Sequence, residues 1–183
     1  MKKNKHKKII FLDRDGTIIR DKNYMHKIKD LEFLPHAIEG LKKIQELGYE
    51  FIIVSNQAGV AKKYYTFKDM MNFHDKVTRR LSDYGITILA SYFCTHHPKI
   101  TGLCQCRKPN TGMFKKASKT FDIDPTKSIF AGDKDCDIKL GQNLGGVTFH
   151  INNGQYPITL KPDYSVKNLL EAYNIIKNLY DYA

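Results

Sequence analysis

The sequence lacks any apolar run approaching the roughly 20 residues that span a bilayer, and its beginning lacks the apolar core of a secretory signal. It contains only four cysteines, and three of them fall between residues 94 and 106. That is too few and too clustered for the disulfide framework of a small secreted protein. We therefore expect a cytoplasmic protein that has no membrane partner.

Acidic residues are also scarce, because 19 Asp and Glu oppose 30 Lys and Arg and leave a net charge of +11. Such an excess can indicate a nucleic-acid partner. Five of the positive charges, however, lie in the first eight residues, at Lys2, Lys3, Lys5, Lys7 and Lys8. The others are spread over predicted helix surfaces, which favours a solvated surface over a binding face, so we expect no nucleic-acid partner.

The chain has the size of one domain. Its 183 residues, 42% of them hydrophobic, are enough to bury one sizeable core. No repeat, low-complexity tract or linker divides it, so we expect residues 1–183 to form a single domain. Few apolar residues fall on the predicted outer helix faces, which favours a monomer.

Short apolar runs alternate with segments of helical periodicity along the chain. Strands are predicted at 9–12, 49–54, 88–94, 128–131 and 146–151. Helices are predicted at 35–47, 67–84, 112–121, 135–144 and 166–180. The alternation predicts an α/β protein, a Rossmann-like three-layer α/β/α domain with a mainly parallel central sheet. Residues 18–34 lack a sustained period and are expected to form a flap, with no large cap domain.

Polar motifs follow four of the predicted strands and are expected to meet at one edge of the sheet. They comprise Asp13 and Asp15, Ser55 and Asn56, Arg107 and Lys108, and finally Asp133, Lys134 and Asp137. Neighbouring carboxylates repel each other unless a hard divalent cation such as Mg²⁺ lies between them. A hydroxyl group, backbone amides and a lysine suit a phosphate. Together these groups indicate phosphoryl transfer.

The motifs resemble those of the haloacid dehalogenase superfamily of phosphatases. They are Asp-x-Asp-Gly-Thr at 13–17, Ser-Asn-Gln at 55–57, Arg-Lys-Pro at 107–109 and Gly-Asp-x-x-x-Asp at 132–137. The resemblance covers residues 9–146. It implies that Asp13 is the nucleophile that forms an aspartyl phosphate and that Asp15 protonates the leaving alcohol and then activates water.

The same resemblance implies roles for the remaining motif residues. Ser55 and Lys108 would hold the transferring phosphoryl group. The Mg²⁺ ligands would be the Asp13 carboxylate, the Asp15 backbone carbonyl and Asp133. Asp137 has two interpretations, one as a carboxylate near the metal that does not bind it, the other as an acid that complements a helix dipole.

A cysteine and histidine cluster precedes the Arg-Lys-Pro motif. Its members are Cys94, His96, Cys104 and Cys106. Three thiolates and one imidazole suit a closed, structural Zn²⁺ site that would pin the loop leading to Arg107 and Lys108. A disulfide and free buried thiols are the alternatives, and His97 is an alternative fourth ligand. We treat Cys136, inside the last motif, as a packing residue.

Within the superfamily, residues 56–61 and 107–113 together with this cysteine loop resemble the heptose bisphosphate phosphatases. That resemblance implies Mg²⁺-dependent removal of the 7-phosphate of D-glycero-D-manno-heptose 1,7-bisphosphate, a step toward nucleotide-heptose and lipopolysaccharide precursors. The implied substrate contacts are Asp21, Tyr24, Ser55, Asn56, Gln57, Arg107, Lys108 and Lys134. For Tyr24, an aromatic residue that merely covers the core edge is the alternative.

Three other functions compete with this one. A histidinol-phosphate phosphatase would share the four motifs and a similar zinc loop. A polynucleotide 3′-phosphatase would fit the positive charge, although no stacking platform for single strands is evident. A non-catalytic binding module would lack the nucleophile or the acid, whereas Asp13 and Asp15 are both present. The sequence leaves the preferred sugar anomer open.

Overall fold

A six-stranded, entirely parallel sheet forms the centre of the molecule. The computed structural model describes residues 7–179, so that Lys2, Lys3, Lys5 and the predicted helix residue Tyr180 lie outside the described range. The strands are β1 (Ile9–Leu12), β2 (Glu50–Asn56), β3 (Ile88–Cys94), β4 (Ile129–Gly132), β5 (Val147–Ile151) and β6 (Tyr164–Val166). Their order in the sheet is β3-β2-β1-β4-β5-β6. The catalytic candidates of β1 therefore lie at the centre, between the ends of β2 and β4.

Helices cover both faces of this sheet. They are α1 (Ala37–Glu46), α2 (Phe67–Asp83), α3 (Pro98–Thr101), α4 (Gly112–Ser118), α5 (Asp135–Leu144) and α6 (Leu169–Ile176). Helices α1, α2 and α6 contribute to one apolar core, and α4 and α5 contribute to the other. The predicted three-layer α/β/α fold with a parallel sheet is confirmed.

Strand β1 supplies side chains to both cores. Ile10 and Leu12 join the core beneath α1, α2 and α6, whereas Ile9 and Phe11 join the opposite core. The ring of Phe11 stacks on that of Phe130 at a centroid distance of 5.0 Å. A parallel strand buried on both faces needs an unbroken apolar sequence, which is the pattern that predicted it.

Several boundaries differ from the sequence-based expectations. Val166 belongs to strand β6, not to the last helix, and the short edge strand was not predicted. Helix α1 begins at Ala37, later than the predicted position 35, because His36 adopts a left-handed conformation with φ of 59°. Tyr84 follows α2 and is 51% exposed, so it does not extend the apolar face of that helix. Thr66 and Asp69 form a capping box at the start of α2.

The segment between β1 and α1 folds as a flap without a cap domain. Its regular structure is limited to a 3-10 helix at Ile28–Asp30 and two isolated bridges, at Asp15–Ile19 and Ile19–Phe33. Ile18 and Ile19 anchor the flap in the core. Within residues 7–179, no helix has both the length and the apolar character needed to cross a membrane.

A buried arginine and histidine lie under the catalytic end of the sheet. The Arg14 guanidinium lies 5.1 Å from the centre of the Phe73 ring, and Arg14 is fully buried. His74 packs edge-on against Phe93, and its Nδ1 atom has no hydrogen-bond partner in the described structure. Burial, reinforced by the positive charge of Arg14, lowers the pKa of His74 to about 4.

The lowered pKa of His74 predicts a loss of stability in mild acid. The unfolded chain binds a proton at this histidine below a pH of about 6.5, whereas the folded protein does so only near its lower pKa. The wild type should therefore lose about 2 kcal/mol of unfolding free energy at this site between pH 7 and pH 5. In His74→Gln this contribution should vanish, which urea unfolding at the two pH values would measure.

The exposed residue His36 provides the matched control. His36→Asn tolerates the left-handed backbone and should keep the pH dependence of the wild type. An equal pH dependence in His74→Gln and in the wild type would contradict the burial argument.

Candidate active site

A polar cavity of about 230 Å³ opens at the carboxyl ends of the central strands. Most of the residues that sequence motifs assigned to a site line it. These are Asp13, Asp15, Asp21, Tyr24, Asn56, Gln57, Arg107, Lys108 and Lys134. The structure thus brings together side chains from all four motif loops and from the flap.

Three buried carboxylates lie beside the cavity. Oxygen atoms of Asp13, Asp133 and Asp137 lie within 4.8 Å of one another. Neither carboxylate oxygen of Asp133 has a hydrogen-bond partner in the described structure, and the ammonium of Lys134 approaches it only to 3.5 Å. Burial and the nearby Asp13 charge raise the pKa of Asp133 to about 8. A buried carboxylate without donors, next to two others, is the arrangement expected for oxygen ligands of a hard divalent cation.

Gly16 makes room for Asp133. Its φ of 89° is one that side chains rarely adopt, and a Cβ atom there would stand 2.1 Å from Asp133 Oδ2. The glycine of the first motif therefore permits the sharp turn and also the close approach of the two loops.

Lys108 is the buried cation that balances these acids. Its ammonium contacts Asp137 Oδ1 at 2.6 Å and Asp13 Oδ1 at 3.0 Å, and it donates to the Val54 carbonyl at 2.7 Å. Burial alone would lower the pKa of Lys108, but the charges of Asp13 and Asp137 outweigh it and raise this pKa. Lys108 therefore stays charged and uses all three of its donors.

Asp13 keeps one oxygen available. Its Oδ1 atom accepts from the Arg14 backbone N–H at 2.8 Å and faces Lys108, so both contacts fall on the same oxygen. Burial raises the pKa of Asp13, but Lys108 and Lys134 more than compensate and lower it below its usual value. The side chain is therefore an anion whose Oδ2 atom can act as a nucleophile.

Asp15 is held by two neighbours. Arg14 donates to both of its oxygens, at 3.0 and 2.9 Å, and Gln57 Nε2 donates to Oδ2 at 2.7 Å. Gln57 is in turn fixed by the Tyr65 hydroxyl, which donates to its Oε1 atom at 2.9 Å. The carboxyl group of Asp15 is thus oriented at the cavity wall, and the role of Arg14 is structural.

The side chains of Ser55 and Asn56 bond to other protein groups at or behind the cavity wall. Ser55 is buried and does not contribute to the described cavity wall, and its hydroxyl accepts from Gln57 at 3.0 Å. Asn56 lines the cavity, but its amide group clamps the Lys108 backbone, accepting from its N–H at 3.0 Å and donating to its carbonyl at 3.2 Å. Asn56 thereby joins the end of β2 to the loop that carries the buried cation.

Tyr156 is a cavity residue that the sequence motifs missed. The Lys134 ammonium lies 4.2 Å from the centre of its ring and 3.0 Å from Asp21 Oδ2, and the Tyr156 hydroxyl donates to the same oxygen at 3.2 Å. Tyr156 follows β5 in a polar run, Asn-Asn-Gly-Gln-Tyr at 152–156. The rule that polar loops after strands form the site could have found it.

Two other residues of this run fasten the site. Asn153 donates to the Gly16 carbonyl at 2.6 Å, and Gln155 donates to the Asp21 carbonyl at 2.8 Å. Segment 152–156 therefore ties the loop after β1 to the flap.

Tyr24 covers the cavity from the flap side. Its ring packs edge-on against Tyr64 at 4.7 Å, and Lys62 donates to its hydroxyl. Tyr24 lies in the cavity wall and is 40% exposed, so its ring covers the rim and not the apolar core.

The cysteine cluster is assembled at the end of β3. The three Sγ atoms of Cys94, Cys104 and Cys106 lie 3.2 to 3.6 Å apart, and His96 Nδ1 lies 3.2 Å from the nearest of them. A tetrahedral Zn²⁺ with bonds of about 2.3 Å separates its sulfur ligands by roughly 3.8 Å, close to this spacing. The residues present therefore fit a tetrahedral metal. His97 Nδ1 instead accepts from the Lys99 N–H at 3.3 Å and starts α3.

Hydrogen bonds connect the cluster to the cavity. Arg107 donates to the His96 carbonyl at 3.3 Å, and Asn110 donates to the Cys104 carbonyl at 2.7 Å. The Gln57 N–H donates to the Cys94 carbonyl at 2.7 Å. The loop that delivers Arg107 and Lys108 is therefore held at the thiol cluster.

Comparisons with known proteins find a family model and several named relatives that match most of the chain. A model of the polynucleotide kinase 3 phosphatase family matches residues 8–175. A D-glycero-alpha-D-manno-heptose-1,7-bisphosphate 7-phosphatase of Photorhabdus laumondii is 44% identical over 143 residues, covering 75% of this chain and 78% of its own. A D-glycero-beta-D-manno-heptose-1,7-bisphosphate 7-phosphatase of Haemophilus influenzae is 37% identical over 183 residues, covering 94% of this chain and 98% of its own.

Solved structures show the same fold. A D,D-heptose 1,7-bisphosphate phosphatase from B. bronchiseptica, complexed with magnesium and phosphate, superposes with a TM-score of 0.80 at 22% identity, covering 93% of this chain and 98% of that one. A putative haloacid dehalogenase-like phosphatase from Mesorhizobium loti also has a TM-score of 0.80, at 24% identity, and covers 93% and 88% of the two chains. The expected haloacid dehalogenase-like fold is confirmed. Because the family model spans nearly the whole described chain, this protein belongs to the polynucleotide kinase 3 phosphatase family.

Proposed function

We propose that this phosphoric monoester hydrolase removes the 7-phosphate of D-glycero-D-manno-heptose 1,7-bisphosphate. The observation that carries the proposal is the free Oδ2 atom of a buried, charged Asp13 beside the Lys108 ammonium. The choice of sugar rests on the Photorhabdus and Haemophilus relatives, whose names specify this substrate. The product would serve nucleotide-heptose and surface polysaccharide synthesis.

The reaction would proceed in two displacements. Asp13 Oδ2 attacks phosphorus, the bond to the sugar oxygen breaks, and that oxygen takes a proton from Asp15. Asp15 then takes a proton from water, whose oxygen attacks the aspartyl phosphate and releases inorganic phosphate and the Asp13 carboxylate. Arg14 and Gln57 keep Asp15 in one orientation for both proton transfers. Lys108 would balance the charge of the phosphoryl group through space, because its three donors are engaged, and Ser55 would turn its hydroxyl toward a phosphoryl oxygen when substrate binds.

Mg²⁺ fits the carboxylates at the cavity. Asp13, Asp133 and the Asp15 backbone carbonyl would hold the ion, which offsets negative charge on the phosphoryl group. Asp137 binds Lys108 and accepts from the Lys134 N–H at 3.2 Å. These contacts favour a role in holding Lys108 and starting α5, not in binding the metal.

The remaining wall residues would recognise the sugar and its phosphates. Asp21, Tyr24, Asn56 and Gln57 offer hydrogen-bonding groups, and Arg107 and Lys134 offer positive charge. A bisphosphate brings several negative charges into the cavity, which these two cations complement.

A polynucleotide 3′-phosphatase is the second candidate, because the matching family model carries that description. Histidinol-phosphate phosphatase remains a third, since it would use the same catalytic groups. The three substrates share the phosphate ester and differ in what surrounds it. A direct comparison of their turnover therefore separates them.

The test is a substrate panel with Mg²⁺. We expect kcat/KM for one or both anomers of heptose 1,7-bisphosphate to exceed that for histidinol phosphate and a 3′-phosphorylated oligonucleotide by roughly 100-fold or more, as buried polar contacts would produce. Asp13→Asn should lower phosphate release by roughly 1,000-fold or more because it removes the nucleophile. Phosphate release would be measured for each substrate.

Asp83→Asn, an exposed change at the end of α2, is the control and should keep full activity. Preference for the oligonucleotide or for histidinol phosphate would replace the heptose assignment. Undiminished turnover by Asp13→Asn would refute the proposed chemistry.

We also infer that the thiol cluster holds a structural zinc ion. Its four ligands leave no open position, so the ion would stabilise the loop and take no part in the reaction. The bond from Arg107 to the His96 carbonyl, next to the Asn56 clamp on the Lys108 backbone, would transmit that stability to the cavity.

Purified protein should contain about one zinc per chain. The double variant Cys104→Ser and Cys106→Ser should lose the metal and melt at least about 5 °C lower, because metal-binding energy stabilises the fold. Elemental analysis and thermal unfolding would measure both effects. Cys136→Ser removes a thiol outside the cluster and should retain zinc; a metal-free wild type would disprove the site.

Tyr156 is proposed to position Lys134 and Asp21 for substrate. Tyr156→Phe keeps the ring under the ammonium, whereas Tyr156→Leu removes the cation–π contact, which contributes about 0.5 to 2 kcal/mol. We expect KM to rise roughly 3- to 30-fold in Tyr156→Leu, with a smaller effect on kcat and partial recovery in Tyr156→Phe. Steady-state kinetics would measure both constants, with the exposed Tyr84→Leu as control. Equal kinetics for Tyr156→Leu and the wild type would exclude this role.

We further infer a single-domain monomer in the cytoplasm. The free thiols of Cys94, Cys104 and Cys106 suit a reducing compartment. Three of the large exposed apolar side chains, Ile28, Tyr84 and Leu103, lie far apart in the sequence, and Tyr24 and Tyr64 pack against each other within the chain. Isolated residues of this kind do not need a partner surface.

A further inference from the structure

A second cavity, of about 500 Å³, lies behind the loop that follows β1. Its wall comes from the start of the flap, the end of β5 and the beginning of α6. Thr17, Arg20, Asn152, Asn153, Lys167 and Asn168 supply its polar groups. None of the residues assigned to the catalytic cavity contributes to this wall.

The polar part of this wall consists mainly of groups that can donate a hydrogen bond and have no acceptor within the protein. Asn152 Oδ1 accepts from the Gly154 N–H and Asn168 Oδ1 accepts from the Glu171 N–H, so each oxygen is engaged while each Nδ2 group remains available. No Asp or Glu lines the cavity in the described structure. A ligand must therefore bring the acceptors.

Thr17 adds an independent sign of a missing partner. The residue is 1% exposed, and its Oγ1 atom is buried without a hydrogen-bond partner in the part of the chain that the structure describes. Unsatisfied buried hydroxyl groups are uncommon and costly. A bound ligand with an oxygen atom near Thr17 would satisfy it.

The charges around the cavity favour an anion. Arg20 is partly neutralised by Glu32 at 2.8 Å, and the Glu171 carboxylate accepts from the Lys167 backbone N–H at 2.8 Å. The Lys167 ammonium has no carboxylate partner among residues 7–179. The positive end of the α6 dipole, at Asn168, faces the same cavity.

The other part of the wall is apolar. Leu34, Pro35, Ile151 and Leu169 contribute to it. A site with donors and a cation on one side and hydrocarbon on the other suits a ligand that has an anionic head and a short carbon chain. We propose that this cavity binds a small organic monophosphate, separately from the substrate.

Segment 152–156 couples this cavity to catalysis. Asn152, Asn153 and Gly154 line the second cavity, whereas Tyr156 lines the catalytic one. Asn153 also holds the Gly16 carbonyl beside Asp133. A ligand that shifts this segment changes the positions of Gly16, Asp21 and Lys134 together, and so alters kcat.

Propylphosphonate is a suitable probe because it has the required head and chain and cannot be hydrolysed. In an NMR titration of the full chain without Mg²⁺, the side-chain amides of Asn152 and Asn168 should shift in a saturable way. Signals of Asn56 and Gln57 report the catalytic cavity separately. Lys167→Gln should weaken binding at the second cavity about fivefold, as loss of an exposed charge pair would, and the exposed change Lys161→Gln should not.

The kinetic counterpart uses the same probe with Mg²⁺ and p-nitrophenyl phosphate. Binding at the second cavity changes kcat, and this component should disappear in Lys167→Gln, whereas competition at the catalytic cavity raises KM in both proteins. Shifts confined to Asn56 and Gln57, or a change in kcat that Lys167→Gln leaves intact, would overturn the proposal. The NMR readout needs no turnover, so its result is independent of the heptose assignment.

Discussion

The buried ammonium of Lys108 is the interaction on which the catalytic end of the molecule depends. Asp13 and Asp137 lie in the interior, where two uncompensated negative charges would be costly. Lys108 contacts both, and the Val54 carbonyl takes its third donor. Removing this one side chain would leave two carboxylates without their principal counter-charge. The burial that raises the pKa of Asp137 to about 6 shows how strongly the environment opposes charge there.

Contacts from two loops fix the position of the Lys108 ammonium. Lys108 lies in a loop and is distant in sequence from Asp13, which it contacts. A loop alone would not fix the position of a charged group to within an ångström. Asn56, at the end of β2, makes two hydrogen bonds with the Lys108 backbone. The thiol cluster holds the residues before Lys108 close to Cys94. The cluster thus has a clear physical purpose even though it lies outside the cavity.

The sequence predicted the features that depend on local pattern. Apolar runs located strands β1 to β5, motifs named seven residues of the cavity wall, and the family resemblance added the flap residues Asp21 and Tyr24. It missed β6, whose three residues carry little periodic signal. It also missed Tyr156, because no family motif marks the polar loop after β5, although that loop ends a strand at the same edge of the sheet. The burial of Ser55 behind Gln57 was equally beyond reach, since periodicity tells which face a residue occupies but not what covers it.

The strand order determines when the acid cluster can form during folding. Central strand β1 pairs with β2 on one side and with β4, more than a hundred residues later, on the other. Parallel pairs of this kind close large loops and form slowly. Asp133 follows β4 and reaches Asp13 only once β4 has paired with β1, so the acid cluster cannot assemble before that late segment is in place. The site thereby depends on a strand pairing that joins residues more than a hundred positions apart, and not on any local segment of the chain.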